Sequence, residues 1–488
     1  MSFFTVPFLF VFLPVTLAAY YLLNFFVHTV LGKPHHMAAQ NGLLLLASVV
    51  FLVWLEPLLV PLFLLLSIVC LRLGMEIKSA LWENHPAGRY VLAAYILLGG
   101  IFVLFQVSGT LAGHGLPIFG LERTLLRTYL PPAGMAIFTL RAIAYVSDVY
   151  RQKIEAEKNI VNLGLYLCFF PHMVVGPLQS YGNFRAQLQR GTSVQLLSDG
   201  VCRLLVGIGK KILLADNLAV ITDNVFALSA SSGSLTEVPV SLAWLGIVAF
   251  SLQVYYDFTA FSDVAIGLTN LFGFTTPENF NYPYVADSIT GFWERWLITI
   301  KWWFTRYVSK PLDRMRSENN DQLIVNTFIA FVAMGVWHKA SIGMLIWGFL
   351  QVFCVAVERV TSYSERRIPK LVKHGYVILV VMLGWALLRY SSFNQTLLFL
   401  RNLFGLNQNG LWSPLTLAFL QEYWVFFAAA LLFIFPVAPA MRQRMENGGR
   451  ATRAVAGACY VALFAGLAGL CLVYFSRGLY VPGVYFSF

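Results

Sequence analysis

A histidine and a lysine interrupt a long apolar stretch of this sequence. His338 and Lys339 lie near the middle of an apolar run that extends from Leu323 to Val357. Placing an ionisable side chain at the centre of a bilayer costs roughly 2–3 kcal/mol or more, so such residues usually have a function. Histidine changes its charge near neutral pH, and proton transfer is therefore the chemistry to expect of His338. The alternative is a histidine that hydrogen-bonds between packed helices and has no chemical role.

Two aspartates lie within or beside another apolar segment. Asp257 and Asp263 belong to the stretch LQVYYDFTAFSDVAIGL, and their spacing does not place them on one face of a helix. Together with His338 they could form the proton relay of a transporter or channel. Such proteins usually contain repeats with matching broken helices in both halves, whereas this sequence concentrates these features in one region. The relay is therefore the less favoured hypothesis.

An aromatic and basic segment, Phe292 to Lys310, follows a loop that contains several proline and asparagine residues. On a helix, three apolar residues would share one side: Trp293, Trp296 and Ile300. The other sides would carry three basic residues: Arg295, Lys301 and Arg306. This pattern is typical of an amphipathic helix at the membrane surface, which is at least as good an interpretation as a ligand site.

Composition identifies the environment of these residues. Hydrophobic residues make up 58% of the 488 residues and charged residues only 12%, and the mean hydropathy is +0.69. A soluble domain has about 45–50% apolar and about 25% charged residues. The apolar segments are longer than the strands of an outer-membrane barrel, which have about ten residues. We therefore predict an all-α polytopic membrane protein, with about 10–12 transmembrane helices plus re-entrant or interfacial helices, forming a single membrane-embedded domain over residues 1–488.

The net charge of +11 is better explained by basic cytoplasmic loops beside anionic lipid than by a nucleic-acid partner. Three basic clusters are expected on the cytoplasmic side: Arg306, Lys310, Arg314 and Arg316; Arg359, Arg366, Arg367, Lys370 and Lys373; Arg442, Arg444, Arg450 and Arg453. Only the run that carries His338 lies between the first cluster and the second, so it must enter the membrane and return. We expect two short tilted helices or a re-entrant pair, with the turn at Trp337-His338-Lys339 facing an internal cavity.

Other motifs are missing from the sequence. The six cysteines are scattered, mostly inside apolar segments, so we expect neither a disulfide framework nor a metal site. The stretch VGIGKK at Val206 lacks the four-residue gap and the Ser or Thr of a phosphate-binding loop. The first apolar run has no basic residue before it and no small-residue cleavage site after it, which favours a first membrane span over a removed signal peptide.

Seven stretches of the chain resemble the membrane-bound O-acyltransferase family, and specifically its bacterial branch typified by the membrane subunit of alginate O-acetylation. In chain order they are VPFLFVFLPVTLAAYYLL, PPAGMAIFTLRAIAYVSDVYR, LCFFPHMVVGPLQSYGNF, LQVYYDFTAFSDVAIGLTNLFGF, PENFNYPYVADSITGFWERW, MGVWHKA followed by LIWG, and VPGVYFSF. They extend over nearly the whole chain. Their common order is far more specific than any single motif among them.

The resemblance implies a bundle of helices around a tunnel, in which His338 of the Trp-His motif is the catalytic residue. It implies transfer of an acyl group from a cytoplasmic thioester, with acyl-CoA, and acetyl-CoA in particular, as co-substrate and no permanently bound cofactor. The acceptor would be a hydroxyl of a cell-envelope polysaccharide or of a periplasmic partner protein, and the location the bacterial inner membrane. The residue chemistry is compatible, because an alcohol attacks a thioester poorly without a base, and a neutral histidine base raises the rate about 10²–10⁴-fold.

Trp337 and four basic residues are candidates for binding the acyl donor. Trp337 could shape the thioester pocket, or it could serve only in packing. Four cations are candidates for binding the donor phosphates at the cytoplasmic mouth, although contact with lipid headgroups would explain them equally well: Arg295, Lys301, Arg306 and Lys310.

At two positions this sequence differs from the residues that are usual in the bacterial branch of the family. Leu297 stands where the branch usually has the histidine of Arg-Trp-His, and Lys339 stands where it usually has glycine. Leu297 cannot relay a proton. A lysine beside the base would lower the pKa of the histidine or bind an anionic group. The candidates for the missing polar role are Lys339, Asp257, His172 and Glu294.

Two further interpretations stay open within this resemblance. A D-alanyl transferase would receive its acyl group from a carrier-protein thioester. A scaffold that only recruits periplasmic partners would keep its function without His338.

Overall fold

The chain folds into α-helices. The computed structural model describes residues 3–30, 32, 37–113, 134–174, 176–231, 238–311, 320–338, 342–390, 393–447 and 449–476, and no β-strand occurs among them. The helices, with short 3-10 and π-helical pieces, are Phe8–Phe12, Leu13–Phe25, Phe26–Val30, Ala38–Leu55, Pro57–Leu59, Val60–Trp82, Gly88–Gly113, Met135–Tyr150, Ile160–Cys168, Phe170–Met173, Tyr181–Arg185, Val194–Gly209, Lys210–Ala215, Asp216–Ser231, Val240–Leu271, Pro283–Val285, Ile289–Trp293, Ile298–Phe304, Thr305–Ser309, Asn320–His338, Ile342–Val360, Tyr363–Glu365, Lys370–Arg389, Phe393–Leu403, Pro414–Phe433, Val437–Glu446 and Arg450–Ser476.

Within the described ranges, nine helices are long and apolar enough to cross a membrane: Phe8–Phe25, Ala38–Leu55, Pro57–Trp82, Gly88–Phe105, Val240–Leu271, Ile342–Val360, Lys370–Arg389, Pro414–Phe433 and Val455–Ser476. A shorter apolar helical stretch, Val325–Gly335, precedes His338. The prediction of an all-α polytopic membrane protein is confirmed. The described residues hold slightly fewer spans than the sequence pattern suggested.

Several helices begin where the local sequence directs them. Four polar residues precede helices, and the side-chain oxygen of each accepts a hydrogen bond from a backbone N–H of the first turn: Asn159, Ser180, Ser288 and Ser413. Such N-caps stabilise a helix by about 1 kcal/mol, because they satisfy N–H groups that have no partner inside the helix. Ser288 matters most here, because it starts the short helix Ile289–Trp293, which leads into the aromatic and basic segment.

The chain is divided into two compact units. The first consists of Met1–Leu204, Phe261–Glu278 and Thr305–Tyr307, and the second of Leu205–Ala260, Asn279–Phe304 and Val308–Phe488. The prediction of a single domain stays a prediction.

The first unit has an aromatic core whose neighbouring rings have centroids 5.1–6.3 Å apart: Phe3, Phe8, Phe12, Phe51 and Phe170. Beside it, the buried Arg190 guanidinium donates to Asn41 Oδ1 (2.7 Å) and to the carbonyl of Phe272 (2.6 Å). The guanidinium also lies 3.7 Å from the centre of the Phe274 ring. A buried cation with this many partners ties three separate parts of the first unit together.

The second unit contains a close pair of antiparallel helices, Asn320–His338 and Ile342–Val360, which we call the histidine helix and the return helix. Glycines bring their backbones together. A methyl group on Gly335 would lie 2.9 Å from the carbonyl oxygen of Met344, and one on Gly348 would lie 3.5 Å from the carbonyl oxygen of Phe331. Small residues at a helix interface allow this approach inside a membrane, where van der Waals packing drives helix association. The pair forms a closely packed hairpin, and His338 is the last residue of its first helix.

The glycine contact yields a prediction about stability. Gly335→Ala should lower the thermal unfolding midpoint of the detergent-solubilised protein, because the added methyl collides with backbone, and overpacking costs about 1–3 kcal/mol. Gly375→Ala is the matched control. Gly375 also lies inside a helix but has no atom within 4 Å of the added methyl, so the higher helix propensity of alanine, up to about 1 kcal/mol, should raise the midpoint. An increase in both variants would contradict the close packing of the hairpin.

Candidate active site

His338 is the last residue of the histidine helix, and only residues 339–341 separate it from the return helix. The chain therefore reverses direction close to the predicted turn at Trp337-His338-Lys339, although Trp337 and His338 themselves belong to the helix. Lys339 lies outside the described residues, and at Trp337 and His338 the structure describes the helical backbone. The two helices are not short, however. Each has 19 residues and is about 28 Å long, which approaches the thickness of the hydrocarbon core. His338 thus lies a full helix length from Arg359, near the far end of the return helix.

The aromatic and basic segment lies along this hairpin. We call residues Ser288–Phe304 the tryptophan segment. The indole ring of Trp293 packs 5.4 Å, between centroids, from Phe331 of the histidine helix and 5.4 Å from Trp347 of the return helix. Its Nε1–H donates to Gln351 Oε1 at 2.9 Å. The side chain of Trp293 is therefore wedged against both helices of the hairpin.

A second tryptophan of the segment, Trp296, lies at the centre of a larger aromatic cluster. Its ring is stacked on Phe292 with 5.5 Å between centroids and is 5.1 Å from both Phe280 and Trp385. Trp385 Nε1 in turn donates to the hydroxyl of Tyr284 at 3.1 Å. Trp296 is therefore buried inside the protein, whereas an interfacial helix would turn its apolar side toward lipid.

The segment is not one continuous amphipathic helix, which corrects the sequence interpretation. It consists of two short helices, Ile289–Trp293 and Ile298–Phe304, and Leu297 between them has a left-handed backbone with φ +44°. This conformation is unfavourable for leucine by about 1–2 kcal/mol. Strained residues persist only where the surrounding structure holds them, and they are concentrated at functional sites.

The preceding loop holds the strained turn from both sides. The carbonyl of Asn279 accepts a hydrogen bond from Ile298 N (2.9 Å), and its side-chain oxygen accepts from the backbone N–H (3.2 Å) and the hydroxyl (2.5 Å) of Thr299. The backbone N–H of Asn281 donates to the carbonyl of Arg295 at 2.9 Å. Leu297 occupies the position where the resemblance expects histidine, and histidine adopts a left-handed backbone several times more often than other non-glycine residues do. The backbone at this position thus suits histidine better than leucine.

Three of the predicted donor-binding cations remain accessible in the second unit. Arg295 is half-buried, and its Nη1 lies 3.4 Å from the carbonyl oxygen of Asn281. Lys301 Nζ lies 3.9 Å from Glu294 Oε1, and 41% of the Lys301 side chain is exposed. Burial lowers the pKa of Lys301, and the carboxylate of Glu294 opposes this shift. Lys310 is exposed. These side chains could accept an anionic ligand such as a phosphate.

Arg306 belongs to the first unit and has a carboxylate partner there. Its Nη2 lies 3.1 Å from Oδ1 and 3.3 Å from Oδ2 of Asp148, a buried carboxylate that also accepts from the hydroxyl of Tyr307 at 2.9 Å. Arg151 Nη1 donates to the backbone carbonyl of Arg306 at 3.1 Å. A buried carboxylate needs such partners, so the geometry ties the charge of Arg306 to Asp148.

Two of the candidates for the missing polar role have buried partners that sequence reasoning did not identify. Asp257 Oδ1 lies 3.1 Å from Lys211 Nζ, and Lys211 also pairs with Asp216 in the same buried cluster. The apolar surroundings of Lys211 in the sequence are the signal that could have suggested a buried ion pair.

His172 lies in the first unit, fully buried, with its Nδ1 against Arg141 Nη2. A guanidinium offers only N–H donors, so Nδ1 must be the acceptor. The ring is then neutral and carries its proton on Nε2. In this state Nε2 is a hydrogen-bond donor and not a base. Glu294, the remaining candidate that the structure describes, is exposed beside Lys301.

Comparison with known proteins identifies the class of protein to which this chain belongs. Residues 121–389 match the sequence model of MBOAT, the membrane-bound O-acyltransferase family. The chain belongs to this family and is a multi-pass membrane O-acyltransferase. The match includes the tryptophan segment, both helices of the hairpin and His338.

Individual relatives give the kinds of acyl transfer found in similar chains. The probable alginate O-acetylase of Pseudomonas syringae pv. tomato is 29% identical over 455 residues, which cover 92% of this chain and 84% of the relative. The peptidoglycan O-acetyltransferase of Helicobacter pylori is 29% identical over 310 residues, 57% of each chain. The teichoic acid D-alanyltransferase of Bacillus subtilis is 24% identical over 225 residues, 44% of this chain and 55% of the relative.

The strained turn yields a prediction. Leu297→Asn and Leu297→Gly should raise the thermal unfolding midpoint of the purified protein, because both residues adopt a left-handed backbone more readily than leucine, by about 1 kcal/mol. Leu297→Val should lower it, because a β-branched residue is strained further at positive φ. A midpoint that falls in all three variants would show that the leucine side chain matters more than the backbone conformation.

Proposed function

We propose that this enzyme transfers an acetyl group from acetyl-CoA to a hydroxyl of a cell-envelope polysaccharide, directly or through a periplasmic partner protein. The enzyme would be located in the bacterial inner membrane, and His338 would be the general base. The proposal combines the family membership with the position of His338 at the end of the hairpin.

The hairpin is the observation that carries the proposal. Arg359 lies at the end of the return helix in a basic cluster that the positive-inside rule assigns to the cytoplasm. His338 lies one helix length of about 28 Å away, beyond the other end of that helix. We therefore propose that the acceptor reaches His338 from the periplasmic side. The donor thioester must then reach it from the cytoplasmic side.

The cations of the tryptophan segment suit a donor with a long flexible arm. Trp293 is hydrogen-bonded to Gln351. Gln351 lies nine residues, or about 13 Å, from Ile342, the first residue of the return helix. Phosphates held by Arg295 and Lys301 would thus be separated from His338 by a comparable distance. The pantetheine arm of coenzyme A places its thioester far from its phosphates, which fits this separation.

The chemical step requires one proton transfer to the base. Neutral His338 accepts the proton of the acceptor hydroxyl while the oxygen attacks the thioester carbonyl. The resulting tetrahedral intermediate expels the thiolate of coenzyme A, which then takes up the proton from the histidine. The products are the acetyl ester and free coenzyme A, so atoms and charges balance without a metal or redox group.

Acetyl transfer is preferred over D-alanyl transfer because of the extent of the similarity. The alginate O-acetylase matches 92% of this chain, whereas the D-alanyltransferase matches 44%. A D-alanyl transferase fed by a carrier protein is the second candidate, since a carrier protein presents its thioester on the same type of pantetheine arm.

Replacing the histidine tests the catalytic assignment. His338→Ala should lower polymer O-acylation in cells by at least about 10²-fold at matched membrane levels, because the alcohol loses its base. The acyl group released from wild-type polymer would be identified by mass spectrometry. Acetate would support the proposal and alanine the second candidate. Undiminished acylation in the variant would show that His338 is structural or that the protein acts as a scaffold.

Charge removal tests the donor site. Arg295→Gln and Lys301→Gln should each raise the apparent KM for acetyl-CoA about tenfold, since a hydrogen bond to a charged group contributes about 1.5–3 kcal/mol. Arg306→Gln is the comparison. It removes the partner of Asp148, so it should lower the thermal unfolding midpoint and leave the KM for the donor unchanged. Lower stability with an unchanged KM in the first two variants would instead indicate a lipid anchor.

A further inference from the structure

Two polar side chains on one face of the return helix bind the tryptophan segment. Gln351 and Glu358 are seven residues apart, which places them almost two helical turns apart on the same side. Both are buried, with 1% and 7% of their surface exposed. Such groups are costly in an apolar helix unless they are hydrogen-bonded.

Both side chains are hydrogen-bonded to the tryptophan segment, and Glu358 also has Tyr376 of the following helix as a hydrogen-bond partner. Gln351 Oε1 accepts from Trp293 Nε1 at 2.9 Å. Glu358 Oε1 accepts from the backbone N–H of Ile289 at 2.5 Å. Glu358 Oε2 accepts from the backbone N–H and the hydroxyl of Thr290, at 2.9 and 2.7 Å. The carboxylate thus binds the first turn of the short helix Ile289–Trp293, and the amide binds its last residue.

We propose that Gln351 and Glu358 are positioning residues for acyl transfer, because they fix the tryptophan segment relative to His338. This inference rests on the proposed function. The return helix is joined to His338 through residues 339–341 and is packed against the histidine helix at Gly335 and Gly348. A segment fastened to the return helix is therefore fastened to the frame that holds the base.

The consequence concerns the geometry of the reaction rather than the affinity for the donor. Arg295 and Lys301 lie on the tryptophan segment, whereas the base lies at the end of the hairpin. Loosening the connection between them leaves the phosphate-binding cations intact and misplaces the thioester relative to the base. A displacement of about 1 Å can lower the rate about 10²-fold. The maximal rate should fall and the KM for the donor should not.

A double-mutant cycle isolates the indole contact. Trp293→Phe keeps an aromatic ring but removes the Nε1–H donor, and Gln351→Leu removes the acceptor. The variants would be purified in detergent and compared at equal amounts of folded protein, with acetyl-CoA as the donor. Each single variant should lower kcat about tenfold with the donor KM within twofold of wild type. The double variant should be no worse than the worse single variant, because both remove the same hydrogen bond.

Two substitutions of different severity test the positioning role of the Glu358 carboxylate. Glu358→Ala should lower kcat more than Glu358→Gln does, because glutamine keeps one of the two oxygen acceptors. Phe353→Leu is the matched control, because Phe353 lies on the same helix with 67% of its surface exposed. This variant should have the kcat of wild type.

The outcomes separate this inference from the proposed function on which it rests. Wild-type kcat in the Gln351 and Glu358 variants, with His338→Ala inactive, would overturn the positioning role and leave the catalytic histidine in place. Additive losses in the double-mutant cycle, or a raised donor KM with unchanged kcat, would also overturn it. Full activity of His338→Ala would instead reject the base assignment itself.

Discussion

The close packing of two antiparallel helices is the constraint on which the candidate site depends. Gly335 and Gly348 have no side chains to hold the helix backbones apart. Three residues then suffice to connect His338 to the return helix. A side chain at Gly335 would collide with the return-helix backbone and push the histidine helix away from the groups that bind the tryptophan segment. The position of the proposed base thus depends on the absence of side chains at these two glycines as well as on the contacts between the helices.

Buried hydrogen bonds fix where the tryptophan segment lies on this helix pair. Glu358 and Gln351 bind the two ends of a five-residue helix, and Asn279 holds the strained turn that follows it. Each interaction is favourable because the alternative is an unsatisfied polar group buried in the protein. The same principle explains the pairs Lys211–Asp257 and Arg306–Asp148, which neutralise charges inside each unit.

Much of the architecture follows from the sequence, because long apolar runs and basic loops are local signals. The all-helical membrane fold and a reversal of the chain close to His338 were both predictable from them. The left-handed Leu297 was not, since its neighbours are held by hydrogen bonds to Asn279 and from Asn281, which lie in the preceding loop. The length of the hairpin helices was underestimated, because Lys339 and the polar start of the histidine helix obscured their boundaries. The pairing of Arg306 with Asp148 likewise joins segments far apart in the chain.

The central claim is that His338 acts as the base that activates the acceptor hydroxyl. The most direct measurement is acetyl transfer from acetyl-CoA by the purified His338→Ala variant to two acceptors, the polysaccharide hydroxyl and hydroxylamine. Hydroxylamine is nucleophilic at neutral pH without a base. After subtraction of the uncatalysed reaction, the account predicts that transfer to the hydroxyl is lost while transfer to hydroxylamine persists. Equal loss with both acceptors, or equal retention with both, would contradict it.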